Sequence, residues 1–189
     1  QDAGWGEHKD FTVYKPDLNR IRQFISEHRK ISSNRKKDGF SKLGQYYIKA
    51  LTGFINGFFN DDEMQVWDSY NKIIGAGIGL TPACDDAMIG AMSVIYHLCL
   101  SEYNFSLGQY FENTKRIRND LVQYKKTTDI SRKYLICACE GYFSEPLINI
   151  SKWVLGKKSG EIRSILDDFY SIGHSSGLDM LIGVKKVFD

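Results

Sequence analysis

Two adjacent carboxylates, Asp85 and Asp86, stand where a glycine-rich stretch gives way to an apolar run, in "IIGAGIGLTPACDDAMIG" (Ile73 to Gly90). Thr81 is a good helix N-cap and Pro82 suits the first helical position, so a helix is expected to begin there. The two acids then fall in its first turn. They could simply complement the helix dipole. Carboxylates that enter a buried helix are costly to desolvate unless something pairs with them, which makes a ligand role the sharper reading.

A second stretch, "GHSSGLDMLIG", echoes the first. Asp86 to Gly90 reads DAMIG and Asp179 to Gly183 reads DMLIG. Asp and Gly four apart share a helix face, and a glycine inside a buried helix suggests close approach of another backbone. The expectation is that these helices cross near Gly90 and Gly183, with Asp86 and Asp179 converging at one rim. The plainer alternative for Ser176 and Asp179 is a capping box. A third helix start, "TTDIS", offers Thr127, Thr128 and Ser131, whose plainer role is again capping. Helix starts rich in hydroxyls and N–H groups suit an anion. The acids Asp85, Asp86 and Asp179 suit a hard cation such as Mg²⁺. His174, between a glycine and two serines, has the intrinsic pKa of a proton carrier.

The elements that must position these groups read as helices throughout. Apolar residues recur at helical spacing from "DLNRIRQFISEHR" at Asp17 to "SSGLDMLIGVKKVF" at the C-terminus. "AMIGAMSVIYHLCL" is apolar nearly all round and is expected to be buried on most sides, whereas the charged, amphipathic "SLGQYFENTKRIRNDLVQYKK" belongs outside. "TVYK", from Thr12, has the composition of a short strand. The reading is an all-α, bundle-like domain of eight or so helices with buried central helices. GAGIG lacks the strand and βαβ frame of a dinucleotide loop, and its spacing is not G-x-G-x-x-G. His97, Trp67 and Trp153 sit among apolar residues and read as core.

The chain has 189 residues and a formal net charge of +2, which is room for one domain with a real core. The basic run Arg29 to Lys37 is short enough to be a solvated loop, so nucleic acid is not expected. No apolar run reaches the ~20 residues of a bilayer span. The four cysteines follow neither a zinc nor a disulfide pattern and read as free thiols in a reducing cytoplasm. A first residue Gln1 instead of Met fits a processed or truncated chain.

"GAGIGLTPACDDAMIG", "TTDISRKYLICACEGYFSEPL" and "IGHSSGLDMLIG", in that order, resemble a bacterial family long catalogued as of unknown function. Its pattern runs from a Gly-rich loop through L-T-P-S-G-D-D, T-x-I-S and G-x-F-S-E to G-H-S-S-G-x-D-x-x-x-G. Some members are a subunit of oxamate carbamoyltransferase, which exchanges a carbamoyl group between oxalurate and phosphate in anaerobic purine and allantoin breakdown. The resemblance covers residues 65–189 and leaves 1–64 as a divergent N-terminal helical segment, where the family carries a more extensive β-rich part. Ala83–Cys84 replaces the family's usual Ser-Gly. The resemblance implies a site of Gly77, Gly79, Thr81, Asp85, Asp86, Thr128, Ser131, His174, Ser175, Ser176 and Asp179, and other carbamoyltransferase subunits as partners. On that basis a small anionic substrate rests on the helix starts, Asp86 and Asp179 orient a metal or the substrate's amino group, and His174 moves the proton. The rival readings are a Mg-dependent all-α hydrolase and a non-catalytic partner subunit.

Overall fold

The helical periods become nine helices among the described residues: α1 (Leu18–Asn34), α2 (Gln45–Phe59), α3 (Glu63–Ile73), α4 (Ala83–Leu100), α5 (Leu107–Gln123), α6 (Asp129–Cys139), α7 (Glu145–Val154), α8 (Ile162–Tyr170) and α9 (Ser176–Lys186). The structure is a computed structural model, which describes residues 16–34, 40, 43–101, 106–173 and 175–189. No strand occurs among the described residues, and the all-α expectation holds. The strand-like Thr12–Lys15 and His174 both lie outside the described residues.

The apolar circumference of α4 decides the architecture. It leaves no face for solvent, so other helices must sheathe it. Most of its residues are buried, among them Ala87, Met88, Ala91, Met92 and Val94. Helix α9 packs most extensively against it, with α6, α7, α5 and α2 completing the sheath. Its 18 residues are apolar enough to cross a membrane by length and composition, but 89% of that stretch is covered by the rest of the chain. Helix α2 pairs with α3, and α8 joins α7, α9 and α1 on the far side. Fully buried Tyr70, Tyr110, Phe54 and Phe169 fill the gaps between them.

The α4/α9 crossing follows the glycine echo. An ideal Cβ on Gly90 would lie 2.0 Å from the Met180 carbonyl oxygen. One on Gly183 would lie 1.9 Å from the Ala87 carbonyl oxygen. Each glycine thus meets the residue that follows the other helix's aspartate, and the two motifs face each other about a local pseudo-two-fold.

Helix α5 lies outside as its charge pattern required, burying Tyr110, Asn113, Thr114, Ile117, Asp120 and Leu121 on one side. Its start is a capping box. Ser106 Oγ accepts from the Gln109 N–H at 3.3 Å, and the Gln109 side chain accepts from the Ser106 N–H at 2.8 Å. Ser106→Ala is expected to cost about 1 kcal/mol, read as a thermal midpoint lowered by about 2–4 °C.

His97 is a core residue, buried and bonded through Nδ1 to the Ser93 carbonyl at 2.7 Å. Trp153 is buried as well. Trp67 is not: it is half-buried at the edge, with the Arg116 guanidinium 4.1 Å above its ring.

Candidate functional site

The Gly loop, residues 74–82, leaves the end of α3 and delivers the chain to α4. Gly75, Gly77 and Gly79 hold φ values of 71°, 125° and 121°, a region that side-chain-bearing residues avoid. Gly77 also lies so close to α4 that a Cβ would fall 2.4 Å from the Ala83 nitrogen. The Cys84 N–H donates to the Ala76 carbonyl at 3.0 Å. The loop is therefore folded back on the helix it opens, and Ile78 and Leu80 project from its tip into solvent.

Helix α4 starts one residue later than Thr81–Pro82 suggested. Pro82 is the N-cap and Ala83 the first helical residue. Thr81 is thereby released from capping, and its hydroxyl meets the Ser176 hydroxyl at 2.7 Å. That bond joins the starts of α4 and α9. The S-x-x-D capping box at Ser176 does not form either. Ser176 is itself the first residue of α9, Ser175 is the N-cap without a side-chain cap bond, and Asp179 Oδ1 accepts from the Phe40 N–H at 2.7 Å.

The adjacent acids have opposite surroundings, because neighbours on a helix point about 100° apart. Asp85 is buried and bonded by three donors: the Gly75 N–H at 2.8 Å, the Ser131 hydroxyl at 2.6 Å and the Thr127 hydroxyl. Burial pushes its carboxyl pKa up, and these donors pull against it. Asp85 thus ties the Gly loop, α4 and the start of α6 together. Thr128 closes the other end, donating its hydroxyl to the Leu80 carbonyl while accepting from the Ser131 N–H at 3.2 Å as the cap of α6.

Asp86 is equally buried, yet neither carboxylate oxygen makes a hydrogen bond. Burial raises its pKa to about 7. The Thr81 and Ser176 hydroxyls lie near enough to moderate that rise but are bonded to each other, and the charges of Asp179 and Asp85 add to it. Asp179 and Asp86 are therefore near neighbours across the α4/α9 crossing. Cys84, beside them, is a neutral thiol. Burial lifts its pKa to about 12, with Asp85 and Asp179 contributing.

On the loop's outer side lies a shallow pocket of about 450 Å³, lined by Gly75, Gly77, Gly79, Pro82, Lys125, Lys126, Thr127 and Thr128. Lys125 pairs with Asp129 at 3.1 Å in solvent, and Lys126 with the buried Asp120 at 2.7 Å and with Asn71 at 3.0 Å. Neither lysine stands out in the sequence, because "QYKK" follows an exposed, charged helix and looks like ordinary surface charge. Nor does anything local in the sequence mark Gly75 or the Phe40 N–H as partners of these carboxylates.

The candidate residues thus fall into two groups on either side of one loop. Gly77, Gly79 and Thr128 line the outer pocket, with Ser131 behind it. Thr81, Asp86, Ser176 and Asp179 meet at the α4/α9 junction, with Ser175 alongside. Asp85 is the tie between them. Among the described residues, no three acidic, His or Cys side chains gather as metal ligands.

Fold and site define an all-α protein built on two crossed helices, with a Gly-rich loop wedged against three helix starts. Over residues 73–187 the sequence matches the family model described as oxamate carbamoyltransferase subunit AllH. The chain belongs to that family and is a carbamoyltransferase subunit. No solved structure matches it.

Proposed function

We propose that the chain serves carbamoyl transfer between an oxalurate- or oxamate-type substrate and phosphate, working in the cytoplasm with the other subunits of the enzyme. The anionic phosphoryl end would lie in the outer pocket. The observation that carries this reading is the pocket's composition: three positive-φ glycines opposite Lys125, Lys126 and two threonines. A glycine loop lets an anion approach backbone closely. Lys125, whose exposed pairing with Asp129 is easily exchanged, supplies the attraction, while Lys126 stays held by Asp120. Carbamoyl transfer gathers negative charge on oxygen in its transition state, which fixed donors and cations stabilise without reorganising. His174 would carry the proton.

A Mg-dependent hydrolase draws less support from the same geometry. Of its three proposed ligands, Asp85 already accepts three hydrogen bonds.

The test is calorimetric titration of phosphate and carbamoyl phosphate into the assembled enzyme. Lys125 is 71% exposed and its pairing with Asp129 contributes little to stability. Lys125→Ala is therefore expected to leave folding intact while weakening both ligands about five- to tenfold at low salt, and less as salt screens the charge. Unchanged affinity, or no phosphate binding by the wild type, would remove the outer pocket from the mechanism.

A further inference from the structure

Asp86 is the feature that the outer pocket leaves unexplained. Buried polar side chains almost always find a hydrogen-bond partner, and a buried carboxylate with none is a costly exception. Asp86 is fully buried in the first turn of α4, and among the described residues no donor reaches either oxygen at full hydrogen-bond geometry. Asp85 is committed elsewhere. The two hydroxyls nearest Asp86 bond each other, which takes up one of their two O–H groups, and they moderate its pKa without lying at full hydrogen-bond distance from either oxygen. Thr81 and Ser176 are only half-buried, and their side chains can turn toward Asp86 when the bridge opens.

The surroundings restrict what can fill the vacancy in hydrogen bonding. Asp85 and Asp179 add negative potential at Asp86, which repels a carboxylate or phosphate end. In its ionised form Asp86 accepts and does not donate. The complementary group is a donor with no acceptor on the same atom. A divalent cation would need further anionic ligands at hand, and no three acidic, His or Cys side chains converge among the described residues. A neutral, planar –NH₂ meets the requirement, since its two N–H bonds can be shared between a carboxylate and a neighbouring hydroxyl.

Granting the carbamoyl-transfer reading above, we propose that Asp86 binds the primary amide nitrogen of the substrate, accepting its N–H once the Thr81–Ser176 hydroxyl bridge parts. The Gly loop then lies between two subsites of opposite character, cationic outside for the phosphoryl group and anionic inside for the amide. Asp86 selects for N–H at that end of the ligand and is a substrate-binding residue.

The experiment compares two probes of equal charge and nearly equal shape. Oxamate carries –NH₂ where pyruvate carries –CH₃. Both are titrated into the assembled enzyme, wild type and Asp86→Asn, alongside phosphate. The wild type is expected to bind oxamate at least about tenfold more tightly than pyruvate, the scale of a hydrogen bond to a charged group. In Asp86→Asn that preference shrinks to about twofold or less. The Asp86 carboxyl carbon resonance in labelled wild-type protein provides a readout that needs no variant, and it moves with oxamate and not with pyruvate. Equal binding of the two probes, a preference that survives in Asp86→Asn, or an Asp86 resonance that answers to Mg²⁺ and not to oxamate would overturn the proposal. Phosphate in the same wild-type titrations reports on the outer pocket alone. Its failure to bind sinks the phosphoryl subsite, and loss of oxamate discrimination with phosphate intact sinks only the amide subsite.

Discussion

Replacing Gly183 by alanine is expected to lower the thermal midpoint by about 5–10 °C, and Gly90→Ala to do the same. Alanine in a helix interior normally gains about 1 kcal/mol over glycine. Here the added methyl meets backbone. It would stand 1.9 Å from the Ala87 carbonyl oxygen and 2.8 Å from the Ala91 nitrogen, or 2.0 Å from the Met180 carbonyl oxygen in the Gly90 variant. Backbone in a packed helix cannot turn aside as a side chain can. The two helices must separate, along a contact that holds the core together and sets the approach of Asp86 to Asp179. Overpacking of this kind costs about 3 kcal/mol net. Gly53→Ala is the control. Its Cβ would meet the Ser69 hydroxyl oxygen at 2.7 Å, a side-chain atom that can rotate, so its midpoint should move by no more than about 2–4 °C. The two variants disturb one contact, so the double variant should lose less than the sum of the singles. Thermal melts of these four variants beside the wild type decide the matter. A Gly183→Ala protein as stable as the wild type would mean that α4 and α9 do not cross there.

The neighbouring acids are expected to answer mutation with opposite signs. Asp85→Ala orphans the Gly75 N–H and the Thr127 and Ser131 hydroxyls, all bonded to this carboxylate in the core. The loss is about 3–5 kcal/mol, and the Gly loop should come free of α6 as well, seen as faster amide exchange at Gly75. Asp86→Asn removes a buried charge that nothing balances and should stabilise the ligand-free chain at neutral pH. The pH dependence follows from its carboxyl pKa, raised from 3.8 to about 7 by burial. The folded state holds that proton more tightly than the unfolded chain does. Below about pH 4 both states are protonated and Asp86 costs nothing. As pH rises toward 7 the unfolded chain releases the proton first, so wild-type stability falls, and above about 7 the full cost of at most ~4 kcal/mol is present. The midpoint of Asp86→Asn should therefore match the wild type near pH 4 and exceed it increasingly up to pH 8. A constant difference across that range would mean that Asp86 titrates normally. A residue whose neutral isostere is more stable fits a site in which ligand binding, not folding, calls for the charge.

These opposite responses mark the boundary between what sequence determined and what packing decided. Helical periodicity, an all-apolar α4 and the charged face of α5 sufficed for the fold class, because an element without a polar face has to be sheathed and one with a polar face has to lie outside. The Asp-x-x-x-Gly echo was also legible. Two glycines at one spacing in two buried helices mean close backbone approach, whatever the sequence between them. The roles of Asp85 and Asp86 were not legible, since a sequence places both carboxylates at a helix start and the 100° between successive residues sends one to three donors and the other to none. Nor could sequence show that Thr81 and Ser176, each a plausible cap, would bond each other, because a one-residue shift in where α4 begins frees the threonine. Lys125 and Lys126 became candidates only when the fold carried the end of α5 across to the Gly loop. Periodicity is a local property of the chain. The choice of partner for a buried polar group is not: it depends on which distant segments arrive beside it, and only the tertiary structure decides that.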